Sequence, residues 1–426
     1  MRVLMLSWEF PPRIIGGLAR HVYDLTRALA DSGVEVDVIT VAEDGALPFE
    51  DLHGVNVYRV KPPLPAACDF ITGILQLNVA MLEKVMALLR HGESYDLVHA
   101  HDWLVAFAAR AVKYALRLPL VSTIHATEYG RNHGLHTEEQ RYISDVEWCL
   151  TYEAWRVICC SRYMRQELQR VFQLPPDKIR MVPNGVDPRQ CRAGRNDSFL
   201  QQRFAPAGEQ VVFFVGRLVR EKGVHVLLEA APRILAQAPK TRFVIAGRGP
   251  VLESLRGQAR QMGIDRQVDF TGYVDDVTRN ALYQAASVAV FPSIYEPFGI
   301  VALEAMAAKV PVVVADTGGL SEIVSHGVDG LKCYVGHAAS LADQVLAVLG
   351  DAALAQKLSE NAYHKVLTSY SWQEIARQTR TIYQEVLLAF RRSDWVPVEE
   401  NEDSVTEVYP FAGRETAYDE QPARPH

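Results

Sequence analysis

The 426-residue sequence predicts an α/β protein with two domains, each built on a doubly wound sheet of parallel strands. Short runs of β-branched residues alternate with stretches of helical periodicity. The alternation stops over residues 182–209, which begin with two prolines and an Asn-Gly pair, and it then resumes. Some runs, such as residues 157–160, are apolar throughout, as is typical of parallel strands covered on both faces. Two such domains form a cleft between the carboxyl ends of their sheets, where ligands bind in open α/β folds.

The pattern predicts the elements in chain order. The first domain has strands at 2–7, 35–41, 55–60, 97–101, 120–125 and 156–161, and helices at 18–32, 71–91, 103–116 and 137–153. The second has strands at 210–216, 242–247, 268–273, 288–293, 310–316 and 330–334, and helices from 223, at 250–262, at 299–308 and after 319. Three more helices follow, at 339–349, 351–369 and 372–391. We therefore divide the chain into residues 1–188, 189–370, 371–392 and an acidic tail, 393–426.

The net charge of −7 is carried by the end of the chain. Residues 393–426 hold nine carboxylates and two arginines, so they carry −7, and residues 1–392 sum to zero. A neutral body is a poor electrostatic match for nucleic acid, and we expect no nucleic-acid partner. The tail has no helical or strand periodicity, and its composition predicts disorder.

Cysteine usage and hydropathy indicate the cell compartment. The six cysteines contain no Cys-x-x-Cys pair, and the first residues do not form a signal peptide, so we expect reduced thiols and a cytoplasmic protein. No apolar run reaches the ~18–20 residues that a bilayer span requires. The helix at 103–116 and its end carry three cations among apolar residues: Arg110, Lys113 and Arg117. Such a helix either contacts a membrane surface or is an ordinary helix with a solvated basic edge, and the sequence leaves both open.

The most informative motif is Ile-Tyr-Glu-Pro-Phe-Gly-Ile at residues 294–300. A strand delivers Glu296 to a turn, and Glu304 follows about one turn into the next helix. The amides at the start of this helix form a potential anion site, favoured by the helix dipole, and belong to Phe298, Gly299 and Ile300. Taken alone, the two glutamates are more simply explained as capping or surface residues.

Two cations and a glycine pair also lie at predicted strand ends. Arg217 and Lys222 precede a helix start at the mouth of the cleft, where they could neutralise a diphosphate. Solvated loop cations are the alternative. Gly16 and Gly17 follow the first strand, and without a Cβ their backbone can approach a phosphate closely. The loop matches neither the dinucleotide-binding pattern nor the P-loop, which disfavours both classes.

His125 ends a predicted central strand and so faces either the cleft or the core. His99 and His101 end a neighbouring strand and with His125 could form a metal cluster, but their spacing fits no helical metal motif. The sequence also has no Asp-x-Asp pair through which a divalent ion could bridge to a diphosphate. We therefore expect neither a metal nor a cofactor.

In this order the motifs resemble those of retaining glycosyltransferases of family 4, which have the two-domain GT-B architecture and stand near the glycogen and starch synthases. The matches span residues 1–390 and comprise Gly16-Gly17, His101-Asp102-Trp103, His125, Pro183-Asn184-Gly185-Val186-Asp187, Gly216-Arg217, Lys222-Gly223, Tyr273, Glu296 with Glu304, and Thr317-Gly318-Gly319. Bacterial ADP-glucose glycogen synthases carry lysine where Ile14 stands and tend to have cysteine at Phe298. These departures favour family 4, and residues 123–160 look like its glycogen synthase-like branch.

The resemblance implies a role for each matched residue. Arg217 and Lys222 would bind the diphosphate of a sugar-nucleotide donor and stabilise its departure. Glu296 would contact the transferred sugar, Glu304 the ribose, and His125 the sugar near the reacting carbon. The other donor contacts would be Gly16, Gly17, Tyr273 at the nucleobase, and the amides of Phe298, Gly299 and Ile300 at the distal phosphate. The helix at 371–392 would cross back from the donor domain to the acceptor-side domain.

The expected reaction is retaining transfer of glucose from ADP- or UDP-glucose to an α-glucan or another hydroxyl acceptor, without a metal. A family 4 transferase with a lipid, monosaccharide or sugar-phosphate acceptor is the alternative. A non-catalytic sugar-nucleotide sensor is a third class, disfavoured because a sensor would not need Arg217, Lys222 and Glu296 together. The sequence leaves the donor base, the acceptor and the oligomeric state open.

Overall fold

The first sheet has eight strands in the order β3-β4-β2-β1-β5-β6-β7-β8. All neighbours are parallel except β3 and β4. In this computed structural model the strands are β1 (Arg2–Leu6), β2 (Glu35–Val41), β3 (Phe49–Asp51), β4 (Val55–Val60), β5 (Leu97–His101), β6 (Leu120–Ile124), β7 (Arg156–Cys159) and β8 (Ile179–Met181). The structure describes residues 1–62, 64, 67, 69–191, 203–204 and 208–395. The acidic tail beyond Trp395 lies outside these residues.

Helices cover both faces of this sheet. They are α1 (Gly17–Asp31), α2 (Phe70–Arg90), α3 (Ala106–Leu116), α4 (Glu128–Asn132), α5 (Glu138–Glu153) and α6 (Arg162–Phe172). Successive β1 side chains point to opposite faces, so Val3 and Met5 share a core cluster with α1 while Leu4 and Leu6 pack with α2 and α3. The central strands are therefore buried on both sides, as their apolar character predicts.

The second sheet has six parallel strands in the order β11-β10-β9-β12-β13-β14. They are β9 (Gln210–Val215), β10 (Thr241–Ala246), β11 (Val268–Gly272), β12 (Val288–Phe291), β13 (Val312–Ala315) and β14 (Leu331–Cys333). The helices are α7 (Val224–Gln237), α8 (Leu252–Gln261), α9 (Asp276–Ala285), α10 (Ile300–Ala307), α11 (Leu320–Ile323), α12 (Ala338–Gly350), α13 (Ala352–Ser369) and α14 (Trp372–Arg391). The predicted pair of doubly wound domains is confirmed.

The last helix, α14, belongs to the core of the first domain. Its buried residues Ile375 and Tyr383 lie in the cluster that contains β1 and α1, and the Tyr383 hydroxyl is 2.7 Å from His99 Nδ1. Trp395, just beyond α14, packs edge-on against Tyr114 of α3 with ring centroids 5.3 Å apart. The folded chain therefore extends past the predicted boundary at residue 392.

The two domains contact each other through backbone groups as well as side chains. Glu322 of the second domain accepts hydrogen bonds from the amides of Arg162 and Tyr163, at 3.0 and 2.8 Å, and so caps the N-terminus of α6 in the first. The Ser161 hydroxyl donates to the Pro297 carbonyl at 2.6 Å. These bonds hold the 295–298 loop of the second domain directly against the first.

Helix α2 is an exception to the expectation that no apolar stretch is long enough to span a bilayer. It is long enough to cross a bilayer, and an 18-residue window of it has a mean hydropathy of 1.4. Its residues Ile74, Leu77 and Met81 are buried in the core of the first domain. The apolar face of α2 is therefore used by the domain itself.

Among the elements named above, five were not predicted: β3, β8, α4, α6 and α9. Helix α6 has its apolar residues in a narrow stripe at Met164, Leu168 and Phe172, among charged residues that hide the periodicity. The capping bond from the Thr278 amide to the Asp275 side chain, at 2.8 Å, starts α9. Several predicted strands also end one or two residues early, because their last residues, such as His125, already belong to the loops that face the cleft.

Candidate active site

The glycine pair after β1 is held by Glu9. One carboxylate oxygen of Glu9 accepts the amides of Ile15 and Gly16, both at 2.9 Å. A Cβ at Gly16 would point into open space, whereas one at Gly17 would come within 3.1 Å of Ile300 in α10 of the other domain. The loop therefore lies at the junction of the domains and leaves room for a ligand beside Gly16. Sequence reasoning did not identify Glu9.

Lys222 and Glu296 form an ion pair. Lys222 Nζ lies 2.6 Å from Glu296 Oε2, and the Ser293 hydroxyl donates to the same oxygen at 3.1 Å. Glu296 is buried, so the pair is largely withdrawn from solvent. Gly223 ends the 3₁₀ turn before α7 with a φ of +69°, and a Cβ there would collide with the Pro292 carbonyl. The glycine after Lys222 thus permits the close approach of the two loops.

Arg217 lies at the same edge of the second domain but is nearly half exposed, and its guanidinium is 3.8 Å from Glu221. Among the described residues, no backbone carbonyl accepts the amides of Phe298, Gly299 or Ile300 at the start of α10. The Glu296 carbonyl instead accepts the Gly319 amide at 2.9 Å, which supports the turn from behind. The structure therefore presents two cations and a helix N-terminus in one region, an arrangement suited to a diphosphate.

Glu304 lies in a buried ion-pair cluster instead of standing free at the cleft wall. Its Oε1 is 3.3 Å from Arg279 and 3.9 Å from Arg20, and the Tyr283 hydroxyl is 3.4 Å from Oε2. A carboxylate can accept about four hydrogen bonds, so Oε2 keeps acceptor capacity for a ribose hydroxyl. Neither arginine was identified from the sequence, because their separation from Glu304 in the chain gives no local signal.

The histidines cluster differently from the expectation. His125 Nε2 is 3.1 Å from His101 Nδ1, and the third member is His21, whose Nδ1 is 2.6 Å from Asn184 Oδ1. One ring nitrogen from each of these three lies within 4.8 Å of the others. His99 instead bonds Tyr383 and Thr123, so it does not belong to this group.

Burial keeps the histidine cluster neutral. It lowers the pKa of His125 to about 3, with a smaller contribution from the charge of Arg131. It also lowers the pKa values of His21 and His101. The imidazoles can therefore exchange hydrogen bonds with a ligand at neutral pH, and three neutral imidazoles are also a suitable donor set for a metal such as zinc.

Tyr273 lies at the end of β11, more than half exposed, with the Arg248 guanidinium 6.0 Å from its ring centroid. It lines a cavity of about 450 Å³ together with Phe204, Asp275 and Thr278. This open aromatic surface is compatible with the stacking of a base, the role that the resemblance implies.

The cations of α3 do not form a free basic face. Lys113 is buried and bonds the Glu153 carboxylate at 2.7 Å, and Arg110 bonds the same carboxylate at 3.0 Å. Trp103 and Val105, the apolar part of the proposed membrane surface, lie in the core. Two of the three cations and two of the apolar residues are therefore engaged within the domain, whereas Phe107 of α3 is exposed.

Family comparisons match both domains. Residues 15–190 match the family model "Glycosyltransferase Family 4", and residues 196–365 match "Glycosyl transferases group 1". The chain belongs to glycosyltransferase family 4. The enzyme is 39% identical over 389 residues to an uncharacterised glycosyltransferase of Methanocaldococcus jannaschii, covering 90% of this chain and 98% of the relative. It is 37% identical over 411 residues to a glycogen synthase of Mycobacterium tuberculosis, covering 93% and 97%.

The architecture also matches that of solved glycosyltransferases. The sucrose-phosphate synthase of Thermosynechococcus elongatus superposes with a TM-score of 0.79 at 26% identity, covering 91% of this chain and all of that chain. The predicted GT-B fold and glycogen synthase-like relationship are thereby confirmed.

Proposed function

We propose that this glycosyltransferase moves glucose from ADP- or UDP-glucose to a hydroxyl group of an α-glucan, with retention at the anomeric carbon. The observation that carries the proposal is the paired Lys222 and Glu296 beside Arg217 and the helix-start amides of α10. The M. tuberculosis relative, which matches this chain almost end to end, is named as a glycogen synthase, and this supports a glucan acceptor.

Departure of the nucleoside diphosphate is the step that these groups would assist. Negative charge grows on the leaving phosphate while the sugar becomes oxocarbenium-like, so cations already in place stabilise the transition state. Glu296 holds the Lys222 ammonium in position before the donor arrives. The other carboxylate oxygen of Glu296 is then available to a sugar hydroxyl, as the resemblance implies for this residue.

His125 would contact the sugar as a neutral hydrogen-bonding group. Its amide donates to Asp102 Oδ1 at 2.7 Å, which fixes the backbone at the end of β6. Because Asp102 binds this amide and Glu296 binds Lys222, we assign neither carboxylate as a covalent nucleophile. Retention would then come from attack by the acceptor on the face that the diphosphate leaves.

We also propose that the reaction requires neither a metal nor a cofactor, because Arg217 and Lys222 supply the charge that a divalent ion would otherwise provide. Turnover should survive dialysis against EDTA. Loss that magnesium restores would show that a metal holds the diphosphate, and loss that zinc restores would point to His21, His101 and His125.

The function is tested with the full chain and UDP-, ADP- or GDP-glucose, offered to maltooligosaccharides, glucose 1-phosphate or a lipid acceptor. We expect transfer to maltooligosaccharide, with an α-linked product by NMR. Glu296→Gln should abolish it, whereas Glu253→Gln, a matched change on the exposed face of α8, should not. Transfer only to lipid or glucose 1-phosphate would refute the glucan acceptor, and no transfer from any donor would refute the whole proposal.

A sugar-phosphate acceptor is the second candidate. The sucrose-phosphate synthase that superposes on this chain is named for a phosphorylated product. Such an acceptor would need a cation on the first-domain side of the cleft, where Arg131 lies.

A further inference from the structure

Arg131 lies on the short helix α4, at the face of the first domain that meets the second. The Thr127 hydroxyl caps α4 by accepting the Gly130 amide at 2.9 Å. A Cβ at Gly130 would collide with the Tyr295 hydroxyl and the Glu167 carboxylate. The glycine therefore lets α4 pack tightly against the loop that continues into Glu296, and this contact fixes where Arg131 stands.

The acidic groups near Arg131 are each bound by another donor. Asp102 accepts the His125 amide at 2.7 Å, and Glu147 accepts the Glu128 amide at 2.9 and 3.1 Å. The Glu128 carboxylate accepts the Asn132 side chain at 2.8 Å, and the Tyr295 hydroxyl donates to Glu167 at 2.9 Å. None of these contacts uses the guanidinium.

Within the part of the chain that the structure describes, the Arg131 side chain makes no hydrogen bond, and no carboxylate lies within the 4.0 Å of an ion pair. The arginines near Glu304 differ: Arg279 and Arg20 both contact carboxylates. Arg131 is nevertheless only partly exposed. The negative charges of Asp102 and Glu147 raise the pKa of Arg131 in spite of its burial, so the guanidinium stays charged although neither carboxylate bonds it. A charged guanidinium that no described side chain bonds keeps its N–H donors for a ligand.

The position of Arg131 relative to the candidate site identifies the region that such a ligand would occupy. Its charge acts on Asp102 and Glu147 and, next to Glu296, on Tyr295. It also acts on His125, which the resemblance places at the sugar. Arg217 and Lys222 approach the same cleft from the second domain. An anion bound to Arg131 would therefore lie between the two domains.

We propose that Arg131 binds a phosphoryl group of the substrate through its planar, bidentate guanidinium. The inference rests on the proposed function, and the phosphoryl group has two possible sources, the diphosphate of the donor and the phosphate of a sugar-phosphate acceptor. In either case Arg131 is a substrate-binding residue that the first domain contributes. A phosphate held by Arg131 and by the cations of the second domain would also couple substrate binding to the approach of the domains.

The test uses Arg131→Gln and Arg131→Lys in the full chain, with Arg141→Gln as the matched control. Arg141 lies on the neighbouring helix α5, is exposed, and makes one long contact of 3.4 Å with the Leu135 carbonyl. Two measurements are made: the Kd of UDP and of ADP alone by calorimetry, and the KM for glucose 1-phosphate and for maltooligosaccharide.

Loss of one charge-assisted bidentate contact should weaken binding by about 10- to 100-fold in Arg131→Gln. The affinity of Arg131→Lys should fall between those of Arg131→Gln and the wild type, because lysine keeps the charge but not the planar fork. It also provides the measurement if the loss of charge prevents Arg131→Gln from folding. Weaker UDP or ADP binding would place the donor diphosphate on Arg131. An increase in KM for glucose 1-phosphate alone would place the acceptor phosphate there.

The inference would be overturned if both Arg131 variants had nucleotide Kd and KM values within about twofold of the Arg141→Gln control. A twofold change is well below the effect of losing one charged contact. Failure of the proposed function is distinguishable, because the wild type would then transfer glucose from no donor. The calorimetric measurement does not require turnover and would still report on Arg131.

Discussion

Replacing Lys222 with methionine separates the binding and structural roles of the Lys222–Glu296 pair. Methionine has similar length and no charge, so the variant removes the ammonium that lies 2.6 Å from Glu296 and would face the leaving diphosphate. Loss of one preorganised group that stabilises developing charge costs about 10²–10³ in turnover, or about 3–4 kcal/mol. The same change leaves Glu296 buried with only the Ser293 hydroxyl among its side-chain donors in the described structure.

Breaking a buried ion pair costs about 3–5 kcal/mol, and we expect about 3 here because the Lys222 side chain is 20% exposed. The double variant Lys222→Met with Glu296→Gln removes the uncompensated carboxylate, so its thermal midpoint should recover most of the loss while turnover stays low. Initial rates of glucose transfer and melting curves for both variants provide the comparison. Turnover of Lys222→Met within about threefold of wild type, a difference of ~0.6 kcal/mol, would refute the donor role of Lys222.

Arg217→Ala should lower turnover at least about tenfold with little change in melting temperature, because the side chain is nearly half exposed and its ion pair is long; equal kinetics would contradict this. The free energy of unfolding of His99→Gln should be lower than that of the wild type, and this difference should shrink by about 1.4 kcal/mol when melts are repeated at about pH 5.5 instead of 7.5. Burial lowers the pKa of His99, so on acidification only the unfolded wild type gains that proton; a constant gap would contradict it. Truncation after Trp395, which keeps its contact with Tyr114, should leave turnover within about threefold; an inactive folded product would place the tail in the active site.

Three strands of the first sheet were predicted with the correct bounds. The ranges 35–41, 55–60 and 97–101 agree with the structure residue for residue. Helices whose formation depends on few apolar contacts were missed. Helix α6 buries a narrow stripe and is completed from the other domain, where Glu322 accepts two of its first amides. Such a cap joins residues 160 positions apart, and no local pattern in the sequence reports it.

The same distinction applies to the site. The position of Arg217, Lys222 and Glu296 after a strand was predictable, because the sequence defines both strands locally. The contact of His21 with His101 and His125 was not predicted, because His21 lies on α1, far from both in the sequence. His99 is covered by Tyr383 of α14, whereas the His21 ring lies 5.5 Å from that of His101.

The ion pairs near the cleft determine which cations remain for a diphosphate. The body of the chain is neutral, and Glu304 and Glu153 have already taken up the cations nearest to them. A diphosphate adds at least two negative charges, and Lys222 already shares its charge with Glu296. Cations that carboxylates hold weakly or not at all therefore have the most charge left for it. Arg217, whose ion pair is long, and Arg131, which no carboxylate of the described residues contacts, satisfy this condition, and they lie in different domains. Substrate affinity should therefore depend on the relation between the domains, and a variant that weakens the contact of Glu322 with α6 should weaken nucleotide binding without touching the site.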